Sequence, residues 1–195
     1  MALSACTSRE STTVAADPEA TQSAAATTDD NAMTNAVPGT PVATGTASPA
    51  TNDSKTLLLE GLGELTVGKP VPAGSTFAER GAQTSDGCRT VSSPDYPGVY
   101  AITDGRNGQV RRITVGQRSD VKLIEGIGIG STEKDVLAAF PGFRATPHKY
   151  VEAPAKYLQQ PGNDPRLRFE IGQDGKVSLI HVGLMPQLGY VEGCS

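Results

Sequence analysis

The pattern of apolar and polar positions divides the chain near residue 55. Residues 7–54 contain no Leu, no Ile and no aromatic side chain, and Ala, Thr, Ser, Asp and Pro dominate them. Such a segment buries too little apolar surface to offset the entropy of ordering, so we expect it to be disordered. All nine aromatic residues lie at or after Phe77. We therefore expect the folded part to run from about Lys55 to Ser195.

Within the folded part, alternating apolar residues predict antiparallel strands. Residues 98–103, 109–116, 166–171 and 176–183 all show this alternation, and Asp174-Gly175 favours a hairpin turn between the last two. The pattern Val-x-x-Ile-x-Val-Gly occurs twice, once from Val110 and once from Val177. Its recurrence indicates an internal repeat.

Residues 127–142 form the clearest strand-to-helix unit. Ser131 or Thr132 is suited to cap a helix, and Pro141-Gly142 would end it. We expect Val136, Leu137 and Phe140 to form the apolar face of this helix. Residues 65–81 show the same order of strand, glycine and capping residue, although Pro70 and Pro72 weaken any helix there.

These patterns together predict an α+β fold. We expect two divergent repeats, each a helix packed on an antiparallel β-sheet, covering residues 55–120 and 121–195. They would follow a lipid-attachment segment at 1–6 and a disordered tether at 7–54.

Period-2 alternation also predicts which strand residues point away from the helices. We expect an open sheet face with a mixture of charged, polar and apolar side chains: Arg112, Thr114, Arg168, Glu170, Leu179 and His181. A surface of this kind suits a protein partner. An ordinary solvated sheet face accounts for the same residues equally well.

The three cysteines raise the question of pairing. Cys88 and Cys194 lie in the folded part, whereas Cys6 precedes the tether. The simplest arrangement is a disulfide between Cys88 and Cys194, with another role for Cys6. Three reduced, unrelated thiols are the alternative, and they are the default in a cytosolic protein.

Leu3-Ser4-Ala5-Cys6 resembles the lipobox of bacterial lipoproteins. In that family the signal peptide is cut before the cysteine, which then receives a lipid. Only Met1 and Ala2 precede the motif, so we expect residues 1–6 to include the remnant of a signal peptide. The resemblance implies a bacterial envelope protein held by a lipid on Cys6, and Thr7 would direct it to the outer membrane, facing the periplasm.

The folded part also resembles a family of small envelope modules. The order strand, Val/Ile-Gly, Ser/Thr-x-x-Asp-Val and a helix ending in Phe-Pro-Gly is similar to modules of the SmpA/BamE and beta-lactamase-inhibitor-protein type. The resemblance covers residues 57–195, and the first copy departs from it at Pro70 and Pro72. It implies one or two copies of a helical pair packed on an antiparallel sheet.

Charge and motifs exclude several functions. Residues 7–54 carry a net charge of −5 against −4 for the whole chain, which leaves +1 for the rest and no broad field for nucleic acid. The spacing of His148 and His181 in the sequence is not that of metal ligands. Neither Cys88 nor Cys194 has a histidine near it in the sequence. We expect no cofactor, no metal and no enzymatic activity.

The leading interpretation is therefore a non-catalytic binding or assembly module that acts on another envelope protein. Inhibition of an extracytoplasmic hydrolase is the first alternative. A cell-wall ligand binder or enzyme is the second.

Overall fold

The computed structural model describes residues 55–194. The predictions for Cys6, for the lipid-attachment segment 1–6 and for the tether 7–54 lie outside the described residues. The described part contains twelve β-strands, one α-helix and one 3₁₀ helix, Gln187–Gly189. The strands are β1 (Thr56–Leu58), β2 (Gly61–Leu62), β3 (Leu65–Thr66), β4 (Ala78–Glu79), β5 (Arg89–Ser92), β6 (Val99–Thr103), β7 (Val110–Val115), β8 (Lys122–Leu123), β9 (Arg144–Pro147), β10 (Lys156–Gln159), β11 (Arg166–Ile171) and β12 (Val177–Gly183).

The strands form two sheets. The larger has eight antiparallel strands in the order β4-β5-β6-β7-β12-β11-β10-β9, and the smaller has four in the order β3-β2-β1-β8. In the smaller sheet β1 pairs in parallel with β8, with Leu57 opposite Leu123. The predicted strands at 98–103, 109–116, 166–171 and 176–183 are thus confirmed as β6, β7, β11 and β12.

The larger sheet consists of two four-stranded halves that meet at β7 and β12. Ile113 pairs with Val182, and Val115 pairs with Ile180. These residues belong to the two copies of the recurring sequence pattern. The pattern therefore marks strands that lie side by side at the centre of one continuous sheet. The division of the sequence at residue 120 stays a prediction.

The predicted α+β architecture of two helix-on-sheet repeats is wrong. The described residues are mostly β-structure, with one helix of seven residues, α1 (Glu133–Ala139). In the first half, Pro70, Pro72 and Gly74 prevent a helix, since proline removes backbone donors and Gly74 adopts a positive φ of 84°. That segment leads instead into the edge strand β4.

Helix α1 is capped by Thr132, one of the two predicted cap residues. The Thr132 side chain accepts from the Asp135 amide while the Asp135 carboxylate accepts from the Thr132 amide. Val136 is fully buried, and Phe140 packs against the core, with its ring 5.8 Å from that of Phe169. Leu137, which we expected in the core, is 37% exposed. The helix is too short to present a wider face. Within residues 55–194, no helix has the length and apolar character needed to cross a membrane.

One apolar core lies between the two sheets. The smaller sheet contributes Leu57, Leu62 and Leu65, and all three are 1% exposed. The larger sheet contributes the alternate residues that the sequence pattern predicted for its inner face: Ile113, Val115, Leu167, Phe169, Ile171, Ile180 and Val182. The opposite face of the larger sheet is left for polar side chains.

Candidate functional site

The polar face of the larger sheet is covered, which corrects the prediction of an open face. Its predicted residues do lie together on β7, β11 and β12, opposite or diagonal to one another. Five of them are buried, at 9% exposure or less: Arg112, Thr114, Arg168, Glu170 and His181. Leu179 is partly exposed. Their role in partner binding stays a prediction, and solvent does not reach most of them in this conformation.

The covering element is the carboxyl-terminal segment 184–194, which we call the strap. It leaves β12 with the Leu184 amide donating to the Arg111 carbonyl at 2.8 Å, and the Met185 amide donates to Asp164 Oδ2 at 2.7 Å. The 3₁₀ helix then places Leu188, fully buried, against the sheet. The strap thus closes this face of the sheet with an apolar side chain and a short run of backbone.

Two buried arginines bind the strap by its backbone. Arg112 Nη1 donates to the carbonyl oxygens of Gln187, at 3.0 Å, and of Tyr190, while Arg168 Nη1 donates to the Leu188 carbonyl at 3.3 Å. Burial lowers the pKa of both guanidinium groups, which nevertheless stay charged at neutral pH. Among residues 55–194, no group accepts a hydrogen bond from Nε of Arg112 or of Arg168. The contacts with the strap therefore use only part of each guanidinium group.

The disulfide ties the end of the strap to the other half of the sheet. Cys88 and Cys194 are bonded, with their Cα atoms 5.5 Å apart across a sequence separation of 106 residues. Thr90 Oγ1 lies 3.7 Å from Cys194 Sγ. The pairing that the cysteine arrangement favoured is the one the structure contains. Cys6 lies outside the described residues.

A carboxylate on the same face of the sheet bridges both histidines. Glu170 Oε1 accepts from His181 Nε2 at 3.1 Å, and Glu170 Oε2 accepts from His148 Nε2 at 3.3 Å. The His148 Nδ1 atom accepts from the amides of Tyr150 and Val151, so its ring proton is on Nε2. His148 thus belongs to this cluster and is not a solvated loop residue.

Aromatic stacking extends the cluster from His148. The His148 ring stacks on the Tyr157 ring with centroids 4.6 Å apart, and the Arg168 guanidinium lies 3.7 Å from the Tyr157 centroid. A cation over an aromatic face is stabilised by the ring quadrupole. Tyr157 is therefore the common support for one histidine and one arginine of the cluster.

Burial sets the protonation states of the cluster. It lowers the pKa of His181, because a charged imidazole is poorly solvated there and Arg112 and Arg168 repel it. Burial also opposes ionisation of Glu170, but hydrogen bonds from His181 and His148 outweigh that effect and its pKa is lowered. At neutral pH the cluster accordingly holds a carboxylate and a neutral His181.

The order Thr114, His181, Glu170 matches the sequence of contacts in a nucleophile, base and carboxylate triad. Thr114 Oγ1 lies 2.9 Å from His181 Nδ1, and His181 Nε2 contacts Glu170. However, Thr114 is fully buried and His181 is 2% exposed, so no substrate atom reaches the hydroxyl while the strap is closed. Among the described residues, no group of three or more His, Cys, Asp or Glu side chains has the geometry of a metal site.

An exposed apolar groove lies at the edge formed by β1 and β8. This β1–β8 groove has a volume of about 310 Å³. Its lining includes Leu58, Ile124, Phe140, Phe143, Glu60 and Glu125. Ile124 is 77% exposed, the most exposed of the large apolar residues in the described part. Glu60 and Glu125 are exposed, and none of the described residues that line the groove is Lys or Arg.

Sequence reasoning did not find the groove, the strap or the place of His148. Leu57-Leu58-Leu59 and Leu123-Ile124 were visible as apolar runs, but the parallel pairing of β1 with β8 that joins them is non-local. The strap has no periodic pattern, so nothing in it indicated that it covers a sheet. Arginine at a strand position is usually solvent-exposed, so nothing in the sequence was a reason to expect that Arg112 is buried.

Comparison with known proteins does not identify a family. No family model matches the chain, and neither a curated protein nor a solved structure is significantly similar to it. The resemblance to envelope lipoproteins and to small envelope modules therefore rests on the sequence patterns alone and stays a prediction.

Proposed function

We propose that this protein is a non-catalytic binding module of the bacterial envelope, and that the β1–β8 groove takes an apolar, basic segment of another envelope protein. The observation that carries the proposal is the groove itself, with Ile124 77% exposed at its edge. An apolar side chain this exposed beside a concave apolar surface is typical of an interaction site. The proposal also includes a lipid anchor on Cys6.

The acidic residues of the groove favour a basic partner segment. Glu60 and Glu125 flank the apolar lining. An apolar segment with Lys or Arg beside it would therefore form ion pairs with them, whereas an acidic segment would be repelled. The protein's own segment 7–54 is a poor occupant by composition. It has no Leu, Ile or aromatic residue, and its net charge of −5 repels the two glutamates.

The groove supports a binding module better than the predicted alternatives do. An inhibitor that uses the polar sheet face would need that face to be accessible, and the strap covers it. An enzyme that uses Thr114, His181 and Glu170 would meet the same obstacle. Both alternatives therefore need a movement of the strap, whereas no segment among residues 55–194 covers the groove.

Peptide binding tests the proposal. The full chain is titrated with two synthetic ten-residue peptides, one alternating Leu and Lys and the other alternating Leu and Glu. We expect the Leu/Lys peptide to bind at least about tenfold more tightly, which corresponds to about 1.4 kcal/mol. Ile124→Asp should weaken its binding by a similar factor.

Val151→Asp is the matched control, since it adds the same charge at another exposed β-branched residue outside the groove. An equal effect of the two substitutions would show that the peptide responds to net charge and would overturn the proposal. Changing both Glu60 and Glu125 to Gln should remove the preference for Lys while Leu-dependent binding persists. Fatty-acid labelling of the chain in its host, with Cys6→Ser as control, tests the anchor separately.

A further inference from the structure

We propose that the strap is a redox-operated latch over a second interaction surface. In this inference, reduction of the Cys88–Cys194 disulfide uncovers the guanidinium groups of Arg112 and Arg168, which then bind an acidic peptide segment. The surface is the polar face of the eight-stranded sheet, so the inference does not depend on the β1–β8 groove.

The closed strap satisfies the two arginines incompletely. Arg112 is 1% exposed and Arg168 is 7% exposed, yet no residue in the described part of the chain accepts from the Nε atom of either. Opening the strap would return both charged groups to water, where every donor is satisfied. Burial of Leu188 and the hydrogen bonds to strap carbonyls oppose opening. In the proposal, the disulfide is the additional constraint that keeps the strap closed against hydration of the two guanidinium groups.

The disulfide supplies that tie at the far end of the strap. Cys194 is the last described residue, and both cysteines are partly exposed, so a small thiol can approach them. A dithiol reductant attacks one sulfur as a thiolate and forms a mixed disulfide. Its second thiolate then displaces the protein sulfur. The reductant leaves as a disulfide, and Cys88 and Cys194 gain two electrons and two protons as thiols.

The uncovered surface favours a carboxylate-rich occupant. Arg112 and Arg168 present two positive charges against one carboxylate, Glu170, whose oxygens already accept from His181 and His148. In the closed form the carbonyls of Gln187 and Leu188 occupy arginine donors. A carboxylate is a stronger acceptor than a backbone carbonyl and can bind a guanidinium through two parallel hydrogen bonds. Tyr100, whose hydroxyl contacts Arg112 Nη2, lies beside this position.

Hydrogen exchange tests the latch. The full chain with Cys6→Ser is compared in its oxidised form and after dithiothreitol treatment, and Cys88→Ser with Cys194→Ser provides a form that needs no reductant. We expect the amides of Leu188, Gly189 and Tyr190 to exchange at least about tenfold faster on reduction, while those of β7, β11 and β12 keep their protection. Unchanged protection of the strap, or equal loss of protection in the strap and the central strands, would overturn the latch.

Peptide binding tests the second surface. A labelled ten-residue polyglutamate peptide is titrated into the oxidised and reduced forms, and its anisotropy should show at least about tenfold tighter binding to the reduced form. Segment 7–54 competes little, because it has no more than two adjacent acidic residues, Asp29 and Asp30. Arg168→Met should abolish the gain, and Arg144→Met on the exposed edge strand β9 should retain it. Opening without a gain in binding, or a gain that survives Arg168→Met, would overturn the assignment.

Discussion

Arg112 Nη1 lies 3.0 Å from the carbonyl oxygen of Gln187, 75 residues further along the chain. This contact joins the central strand of the eight-stranded sheet to the strap that covers it. Arginine side chains usually lie in solvent, but this one is 1% exposed and its charged group donates to backbone carbonyls. The polar face of the sheet is in consequence a buried network and not a solvated surface.

Replacing Arg112 should test how much this network contributes to stability. We expect Arg112→Ala to lower the free energy of unfolding by about 3 kcal/mol, because it leaves the carbonyls of Gln187 and Tyr190 unsatisfied and opens a cavity. Arg112→Met should recover at least about 1 kcal/mol of that loss by filling the space. Urea denaturation of both variants measures the difference. If Arg112→Ala cost less than about 0.5 kcal/mol, as an ordinary surface substitution does, the role of this side chain would be contradicted.

Acid should weaken the fold through His181 and Glu170. The pKa of His181 is lower in the fold than in the unfolded chain, so the unfolded chain binds the extra proton as pH falls through about 6.5 and stability is lost. The pKa of Glu170 is also lowered, so its contribution is present at neutral pH and disappears at more acidic pH, as pH falls through its folded value.

His181→Gln isolates the first of these effects. It should reduce the loss of stability between about pH 6.5 and 5 by up to about 1.4 kcal/mol per pH unit for one proton. Denaturation curves at several pH values measure the slope for the wild-type chain and the variant. Identical slopes would show that His181 is not the group that titrates.

Val136 and Leu137 of helix α1 were both predicted to be in the core, but the structure buries only Val136. Val136→Ala should cost about 2 kcal/mol, since it removes two buried methyl groups and leaves a cavity. Leu137→Ala should cost less than about 1 kcal/mol, because the side chain is 37% exposed and alanine favours the helix. Thermal or urea unfolding compares them. Equal losses would indicate that Leu137 belongs to the core after all.

Gly98 and Gly74 test how closely neighbouring backbone atoms approach a glycine. Both have a positive φ, 76° and 84° respectively, which an L side chain rarely adopts. A Cβ atom at Gly98 would lie 2.3 Å from the Gln117 carbonyl oxygen, whereas one at Gly74 would meet nothing within 4 Å. Gly74→Ala should cost about 1 kcal/mol, and Gly98→Ala at least about 2 kcal/mol more. Similar losses would show that the loop at Gln117 moves away freely.

The alternation in β7, β11 and β12 was sufficient to predict which residues share each face of the sheet. Ile113 and Val182 are in the core, and Arg112 and His181 are on the opposite face, as their positions indicated. What covers the second face was not predictable, because it depends on contacts between residues far apart in the sequence. The helix expected in the first half does not form, because Ala78 and Glu79 instead pair with Ser92 and Val91 as an edge strand.

The candidate site was predicted even less fully. The groove arises where β1 pairs with β8, a parallel contact between distant segments that short strands do not reveal in sequence. Leu58 and Ile124 lie in short apolar runs, but such runs do not by themselves indicate an exposed surface. Only their shared position beside Phe143 makes them a surface.

Photocrosslinking from the groove tests the central proposal most directly. A photoreactive amino acid is placed at position 124 of the full chain in its native host, and at position 151 in a control chain. The proposal predicts a protein adduct from position 124 alone, mapped to a partner segment in which Leu, Ile or Phe adjoins Lys or Arg. Absence of an adduct at 124, equal adducts at both positions, or an acidic partner segment would contradict it.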